Sequence, residues 1–284
     1  MSIIEQELDE IGFIPDKVDQ IRNKDGIFLY RIYKNNQSYV LKYFENTEST
    51  REIRYYDLLR QFGVATLVLY GQTQRSILME DMLTSARWRL GTAEDVSNPG
   101  VTANLAQWYR RLHDASGMIL NAETNWYSEY GLLTPENLQL VAEKTGTAEM
   151  PFWSALTDQF DRLWAIIQSL EPVVNYNDFY YTNMAVSRNG QEAIMFDYNC
   201  MGKGFRAADL RNVCYSMEPA AARAFLESYG PVPEYEYRVD DVVSVLSTLV
   251  MASKRPEIPD WADGAIRALK SGKLAADFHD LISD

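Results

Sequence analysis

The sequence predicts a two-lobed α+β protein, with a small N-terminal lobe built on an antiparallel sheet around one main helix and a larger, mostly helical C-terminal lobe. The chain has 284 residues, 46% of them hydrophobic, which is enough for one large domain or for two lobes. Short strand-like runs separated by turn signals dominate the first 82 residues. From about residue 83 onward, apolar residues recur at helical spacing.

The first lobe is predicted to cover residues 1–82 and to begin with an amphipathic helix over residues 3–11. Strand-like runs separated by the turn-forming stretches NKDG and KNNQ follow at about 17–22, 26–33 and 38–44. The stretch STREIRYYDLLRQF predicts the main helix, which Ser49 or Thr50 can cap. Two further strands, ATLVLYG and RSILMED, complete this lobe.

The second lobe is predicted to cover residues 83–284. A first apolar stripe at helical spacing is formed by Val101, Leu105, Trp108, Tyr109 and Leu112. A longer stripe is formed by Trp153, Leu156, Phe160, Leu163, Trp164, Ile167 and Leu170. Later helices are predicted at 207–217, 219–229, 237–252 and 261–283.

Charge and composition exclude several classes of function. The formal net charge of −13 disfavours binding to nucleic acid or to anionic membranes, which require basic patches. The acidic excess suits a cationic partner, or serves only solubility. No apolar run reaches the roughly 18–20 residues of a membrane span, and the acidic start is unlike a signal peptide, so a cytoplasmic protein is expected. With two histidines and two cysteines, any metal is expected to be a hard cation bound by oxygen.

Three oxygen-bearing side chains are expected to converge around a short hairpin. The strands 184–187 and 193–196 flank an Arg-Asn-Gly turn, and Asn-Gly is a strong hairpin signal. Asn183 begins this hairpin and Asp197 ends it, so the two are expected about 5 Å apart. Asp178 lies in the loop just before. This arrangement suits Mg²⁺ and a neighbouring general base, whereas the alternative is that these residues only cap turns.

Lys42 is a second candidate because it lies in the middle of the apolar strand YVLKYF. The pleat places Val40, Lys42 and Phe44 on one face, so the ammonium group has to reach solvent or an anion. Glu52, early in the following helix, is a candidate partner, and the pair could hold polyphosphate oxygens. The alternative is an edge-strand lysine with a solvated head.

This ordered set of motifs resembles the aminoglycoside phosphotransferase and choline kinase family, which has the bilobal protein-kinase-like fold. YVLKYF resembles the family's nucleotide-binding strand, REIRYYDLL its paired-glutamate helix, and SILMEDM its interlobe hinge. NDFYYTN resembles the catalytic loop, IMFDYN the metal-binding strand end, and GKGFRAADLRNV the segment whose Asp209 braces that loop. The resemblance covers roughly residues 15–215, with the motifs in the expected order.

The resemblance implies that ATP and Mg²⁺ are the cofactors. It implies that Lys42 contacts the α- and β-phosphates and that Glu52 orients Lys42. It further implies that the hinge binds adenine through the carbonyl group of Glu80 and the amide of Met82.

The resemblance also implies a chemistry. Asp178 is expected to accept the proton of the substrate hydroxyl, and Asn183 with Asp197 to hold Mg²⁺. The protein is therefore expected to be an ATP-dependent small-molecule kinase that transfers the γ-phosphoryl group to an aminoglycoside- or choline-like acceptor, with no prediction for its oligomeric state. The alternatives are an inactive nucleotide-binding scaffold and a protein kinase, although no long activation segment follows DYN.

Two features depart from the family's pattern. Tyr176 and Asn177 stand where the family has His-Gly, which is interpreted as an exchange of one packed aromatic ring for another. The phosphate-covering turn has only Gly26 where a kinase has several glycines. The sequence leaves two interpretations open for each of two further residues. His113 is either a proton-transfer group or a buried hydrogen-bonding histidine. Cys200 is either a redox-sensitive thiol or a small packed side chain.

Acceptor binding is the least determined part of the prediction. Acidic residues alternate with Trp126, Tyr127, Tyr130, Tyr235 and Tyr237 in the second lobe. These residues could bind a polyamine sugar or an alkylammonium group through carboxylates and cation–π contacts. The alternative is that the loops are solvated and the aromatic rings are turned into the core.

Overall fold

The computed structural model describes residues 2–283 and divides the chain into two compact units. The first unit takes in the chain up to Ala122, Asp178–Cys200 and Val213–Gly230. The second takes in Glu123–Asn177, Met201–Asn212 and the chain from Pro231 onward. The loop and hairpin after residue 177 therefore pack with the N-terminal segment. The sequence placed a boundary at residue 82/83, between a nucleotide-binding lobe and an acceptor-binding lobe. This functional division of the chain stays a prediction.

The strands fall into three sheets. In chain order they are β1 Lys17–Lys24, β2 Ile27–Lys34, β3 Gln37–Phe44, β4 Leu69–Gln72, β5 Ser76–Glu80, β6 Trp88–Leu90, β7 Val173–Asn175, β8 Met184–Ser187, β9 Ala193–Met195 and β10 Gly202–Gly204. The largest sheet is antiparallel with the order β1-β2-β3-β5-β4. The predicted hairpin of β8 and β9 is confirmed, and β6, which had no signal in the sequence, adds a third strand to it.

The helices make up most of the remaining chain. In chain order they are α1 Ile3–Ile11, α2 Arg51–Gln61, α3 Pro99–Asp114, α4 Ser116–Ala122, α5 Pro135–Lys144, α6 Pro151–Asp158, α7 Phe160–Ser169, α8 Arg206–Tyr215, α9 Pro219–Tyr229, α10 Glu234–Ser253, α11 Asp263–Lys270 and α12 Lys273–Ser283. No helix of residues 2–283 is both long and apolar enough to cross a membrane.

Helix α1 is held on the five-stranded sheet by its apolar face. Ile4 and Leu8 are buried in one cluster with Ile32, Leu41 and Leu78 of three neighbouring strands. The N-terminus of the helix has a capping box, in which the side chains of Ser2 and Glu5 each accept a backbone N–H of the other residue. The sequence predicted this helix with its observed bounds, because amphipathic spacing is a local signal.

Several predicted boundaries are wrong. Neither Ser49 nor Thr50 caps α2 through its side chain, because a 3₁₀ turn, Thr47–Thr50, leads directly into the helix. The long stripe from residue 153 is divided between α6 and α7 by a break at Gln159, which no proline or glycine announces. The stretch 261–283 is likewise two helices, separated at Gly272, whose φ of +82° favours glycine.

Each unit has its own helical packing. In the first unit, α3 packs against α9, and the predicted stripe on α3 is buried. In the second unit, α10 runs through the core and packs against α5, α11 and α12. The small sheet of β7 and β10 lies in the second unit and carries the segment just before the predicted catalytic loop.

Candidate active site

Lys42 forms a buried double ion pair in the first unit. Its Nζ donates to Glu52 Oε2 at 2.6 Å and to Asp197 Oδ1 at 2.7 Å. Lys42 and Glu52 are buried, so these bonds are shielded from water. Burial disfavours the ammonium form, but the two carboxylates outweigh it and raise the pKa of Lys42. The predicted Lys42–Glu52 pair is present, and the alternative of a solvated edge-strand lysine is wrong.

Glu52 is fully desolvated because no part of its side chain is exposed. Burial raises the pKa of Glu52 to about 7, although the charge of Lys42 and a backbone hydrogen bond from Tyr198 oppose that shift. Lys42 is the cation that compensates the charge of this carboxylate.

Asp178 and Asn183 are joined across the loop that separates them in sequence. Asn183 Nδ2 donates to Asp178 Oδ2 at 2.9 Å and to the carbonyl oxygen of Asp178 at 3.2 Å. Burial and then the nearby charge of Asp197 raise the pKa of Asp178, while Asn183 and Lys42 lower it. The loop from Asp178 to Asn183 is thus closed by hydrogen bonds and holds a half-buried carboxylate.

The hairpin of β8 and β9 brings Asn183 and Asp197 to the same end, as predicted. Met184 is paired with Met195, and Phe196 N donates to the carbonyl oxygen of Asn183 at 2.9 Å. Asp197 follows with φ of +66°, a left-handed conformation that aspartate tolerates better than most residues. This turn directs the Asp197 carboxylate to Lys42.

These side chains line one cavity of about 580 Å³ in the first unit. Five of the predicted site residues lie on its wall, namely Lys42, Glu52, Asp178, Asn183 and Asp197. Glu80 and Met82 are not among the lining residues, whereas the preceding Met79 is, together with Val40 and Leu29. The apolar part of the cavity thus lies beside the hinge segment, and the backbone contacts predicted for Glu80 and Met82 stay predictions.

Asp81 is a hinge residue that sequence reasoning missed. Its Oδ2 accepts from Arg31 Nε at 2.6 Å and from Ser38 Oγ at 2.7 Å, and its Oδ1 accepts from Leu83 N at 3.0 Å. Its side chain is buried, so these partners fix the hinge against β2 and β3. Its partners in those strands lie 50 and 43 residues away in sequence, and no local pattern could have indicated them.

In the second unit, Asp209 braces the residues just before Asp178. Its two carboxylate oxygens accept the backbone N–H groups of Tyr176 at 2.8 Å and of Asn177 at 3.1 Å. Tyr176 is fully buried, consistent with a packed ring at this position. Asn177 has φ of +65°, which explains why glycine and asparagine are both suitable here.

Replacing Asp209 with asparagine is expected to lower the free energy of unfolding by about 2–3 kcal/mol. The amide group has only one acceptor oxygen, so one buried backbone N–H would face another donor. Chemical denaturation at pH 7 measures the change, with the exposed Asp280→Asn as the matched control. A change for Asp209→Asn within about 0.5 kcal/mol of that control would contradict the bracing role.

The donor set at the hairpin end fits a hard cation. Asp197 has a second carboxylate oxygen beyond the one that binds Lys42, and Asn183 turns its amide nitrogen toward Asp178, so its carbonyl oxygen is available. Within residues 2–283, no group of three or more His, Cys, Asp or Glu side chains forms a self-sufficient metal site. This sparse set suits Mg²⁺, which commonly takes one or two protein oxygens and completes its shell with phosphates and water.

The surroundings of His113 and Cys200 bear on the two alternatives that the sequence left open for each residue. His113 is buried, and its Nδ1 lies 2.7 Å from Tyr229 Oη, which agrees with a hydrogen-bonded structural histidine. For Cys200, burial and then the charges of Asp178 and Asp197 raise the thiol pKa to about 11. Since the thiolate is the reactive form, this environment argues against a redox-sensitive cysteine.

The aromatic residues predicted to bind an acceptor divide into two groups. Tyr130 is buried and stacks on Phe205 at a centroid distance of 5.1 Å, and Tyr235 packs against the core of the second unit. These two rings are part of the core, which agrees with the alternative that the aromatic rings of these loops are turned inward. Trp126, Tyr127 and Tyr237 are partly exposed.

The antiparallel N-terminal sheet, the mostly helical remainder and this lysine–carboxylate site define a bilobal, protein-kinase-like phosphotransferase. The sequence profile of the phosphotransferase enzyme family matches residues 24–239, and the chain belongs to this family. It is accordingly a phosphotransferase with an alcohol group as acceptor, acting on small molecules. The family resemblance inferred from the motifs is confirmed.

Solved structures share the fold at low sequence identity. A choline kinase from Streptococcus pneumoniae is 15% identical, with 96% of this chain and 98% of that chain covered and a TM-score of 0.62. A choline/ethanolamine kinase family protein from Mesorhizobium loti is 12% identical, with full coverage of both chains and a TM-score of 0.62. A macrolide 2′-phosphotransferase from Brachybacterium faecium is 14% identical, with 92% and 95% covered and a TM-score of 0.59. The predicted fold class is confirmed.

No curated protein matches the sequence significantly.

Proposed function

We propose that the protein is an ATP-dependent kinase that transfers the γ-phosphoryl group to a hydroxyl of a small cationic acceptor. The observation that carries this proposal is the arrangement of Lys42 between Glu52 and Asp197, in the same cavity as Asp178. In phosphoryl transfer, positioning and charge neutralisation account for most of the barrier lowering. Buried Lys42, the carboxylates of Glu52, Asp178 and Asp197, and the amide oxygen of Asn183 supply the groups for both.

The nucleotide is assigned to the cavity of the first unit. Its apolar wall beside the hinge suits adenine, for which the Glu80 carbonyl group and the Met82 amide are the proposed partners. Lys42 then binds the α- and β-phosphates, with Glu52 fixing its position. Two solved structures with the same fold support a nucleotide ligand: one is a spectinomycin phosphotransferase in complex with ADP and spectinomycin, and the other is a GDP and kanamycin complex.

Asp178 is proposed to orient the acceptor hydroxyl and to accept its proton as the new phosphate ester bond forms. The hydrogen bond from Asn183 fixes the carboxylate, and the raised pKa of Asp178 brings its basicity closer to that required near neutral pH. Asp197 and Asn183 would hold Mg²⁺, which supplies neutralisation of phosphate charge. The other product is ADP.

A cationic acceptor is proposed because the chain carries a net charge of −13. A protein acceptor is disfavoured because α8 begins at Arg206, only a short stretch after Asp197.

Transfer of labelled γ-phosphate from ATP to a panel of amino sugars and amino alcohols tests this function, with neutral sugars and a protein substrate as comparison arms. We expect a phosphorylated product and release of ADP with at least one cationic acceptor. ATP binding without ATPase activity or transfer to any acceptor would instead identify a nucleotide-binding scaffold. Transfer to the neutral sugars or to the protein alone would overturn the proposed acceptor class.

A further inference from the structure

Arg22 and Lys24 of β1 extend from the same face of the sheet as Lys42. In the register of the first three strands, Arg22 is opposite Leu29, and Leu29 is opposite Lys42. Directly opposed residues of antiparallel strands project from one face, so these side chains form a row. Lys24 begins the next row and is opposite Ile27. All five residues line the cavity assigned to the nucleotide.

A β-bulge at Ile21 puts the two cations on this face. Gln20 is opposite Tyr30, but Arg22 is opposite Leu29, so Ile21 is an extra residue in β1. With regular pairing, Ile21 would be opposite Leu29, and the side chains of Arg22 and Lys24 would project from the face under α1. A shift of one residue moves each later side chain of a strand to the other face of the sheet. Because of the bulge, the cavity wall therefore carries Arg22 at the position that Ile21 would otherwise occupy.

The turn after β1 has little free backbone to offer a phosphate. Asp25 and Gly26 have φ of +54° and +76°, which is typical of a tight two-residue hairpin. The carbonyl oxygen of Gly26 accepts from Glu45 N at 2.8 Å, and a Cβ at Gly26 would lie 2.6 Å from Asn46 Nδ2. The turn is therefore short and packed against the end of β3, which leaves no glycine-rich loop to fold over the ligand.

The charges of the cavity leave the two cations available for an anion. Lys42 is already bonded to Glu52 and Asp197, and Asp25 and Asp178 also line the cavity. The side chain of Arg22 makes no hydrogen bond or ion pair with any of residues 2–283. Lys24 has only a long contact of 3.8 Å with Asp25, and its side chain is 64% exposed. A guanidinium and an ammonium group on the wall beside Lys42 match the charge of a polyphosphate.

We propose that Arg22 and Lys24 bind the β- and γ-phosphates of the nucleotide through their side chains, in place of the backbone amides of a glycine-rich loop. This inference rests on the proposed function, because it requires a nucleoside triphosphate in the cavity. Phosphate binding, which a glycine-rich loop would otherwise provide, is thus assigned to two side chains that the bulge at Ile21 places on the cavity face of the sheet.

Calorimetric titration with ATP, ADP and AMP in the presence of Mg²⁺ tests the proposal. For Arg22→Ala/Lys24→Ala we expect at least a tenfold increase in Kd for ATP, a smaller increase for ADP, and a change of less than about twofold for AMP. The control Lys17→Ala/Lys34→Ala removes the same charge from the same sheet at positions that do not line the cavity. It is expected to bind all three nucleotides like the wild type.

A transposition tests the role of the bulge directly. Arg22→Asn combined with Asn23→Arg keeps the composition and moves the guanidinium to the opposite face, so we expect the same loss of ATP affinity as for the single variant Arg22→Ala measured in parallel. ATP affinity equal to that of the wild type would contradict the role of the bulge. Unchanged ATP binding in the double alanine variant, or an equal loss for AMP, would overturn the phosphate-binding role alone. A wild-type protein that binds no nucleotide would overturn the proposed function as well.

Discussion

Replacing Asp178 with asparagine is expected to reduce the turnover number for phosphoryl transfer by about 10²- to 10⁴-fold, with ATP affinity within about twofold of the wild type. Asparagine has nearly the same shape, and its oxygen can still accept the hydrogen bond from Asn183 Nδ2. The substitution removes the ability to take a proton together with one negative charge. Steady-state kinetics with the best acceptor from the panel, together with calorimetric ATP binding, measure the two quantities separately.

The exposed Asp9→Asn is the matched control for this prediction, since it removes the same charge from α1 of the same unit. Its turnover number is expected to equal that of the wild type. If Asp178→Asn retains more than a tenth of the wild-type turnover number, the assignment of Asp178 as general base is wrong. If it also loses ATP binding, the substitution has disturbed the cavity and the role has to be tested with Asp178→Ser.

Replacing Lys42 with methionine is expected to abolish ATP binding and to lower the free energy of unfolding by about 3–5 kcal/mol. Methionine fills a similar volume but leaves Glu52 buried without its counter-charge and removes the partner of Asp197. Thermal or chemical denaturation measures the stability, and the exposed Lys270→Met is the control.

The loss of stability in Lys42→Met is expected to grow with pH. Burial already raises the folded-state pKa of Glu52 to about 7, above the ordinary value of 4.5, and loss of Lys42 removes a contribution that lowers it. A raised carboxylate pKa favours the folded state below about pH 4.5, and this contribution is lost as pH rises through the folded-state value. Lys42→Met should therefore be less destabilised at pH 5.5 than at pH 8.

The double variant Lys42→Met/Glu52→Gln provides the check on this explanation. Because glutamine carries no charge to desolvate, it is expected to recover a substantial part of the lost stability and to remove the added pH dependence. A double variant no more stable than Lys42→Met, with the same pH profile, would contradict the account based on Glu52. The prediction of lost ATP binding applies to both variants.

The elements that the sequence predicted correctly are those with local signals. Helix α1 has amphipathic spacing, and the hairpin of β8 and β9 has an Arg-Asn-Gly turn. This hairpin was enough to bring Asn183 and Asp197 to one end. By contrast, the break at Gln159 carries no proline or glycine, and the strand β6 is only three residues long, so neither had a signal to detect.

The sequence indicated which residues are candidates for the site, but it indicated only some of the ion pairs and hydrogen bonds that join them. The sequence indicated that Lys42 needs an anion and that Glu52 was close enough along the chain to supply it. The second partner, Asp197, lies 155 residues from Lys42, and the ion pair with it exists only because the hairpin packs with the N-terminal sheet in one unit. The hinge network of Asp81 and the brace of Asp209 likewise join segments that are distant in sequence.

The sequence by itself determined the α+β fold class and the family, because periodicity, turns and ordered motifs are local features of the chain. The tertiary structure alone decided which groups compensate each other's charge and which face of β1 meets the cavity. The physical reason is that a bulge of one residue at Ile21 reverses the direction of Arg22 and Lys24 without altering the pattern that predicts a strand.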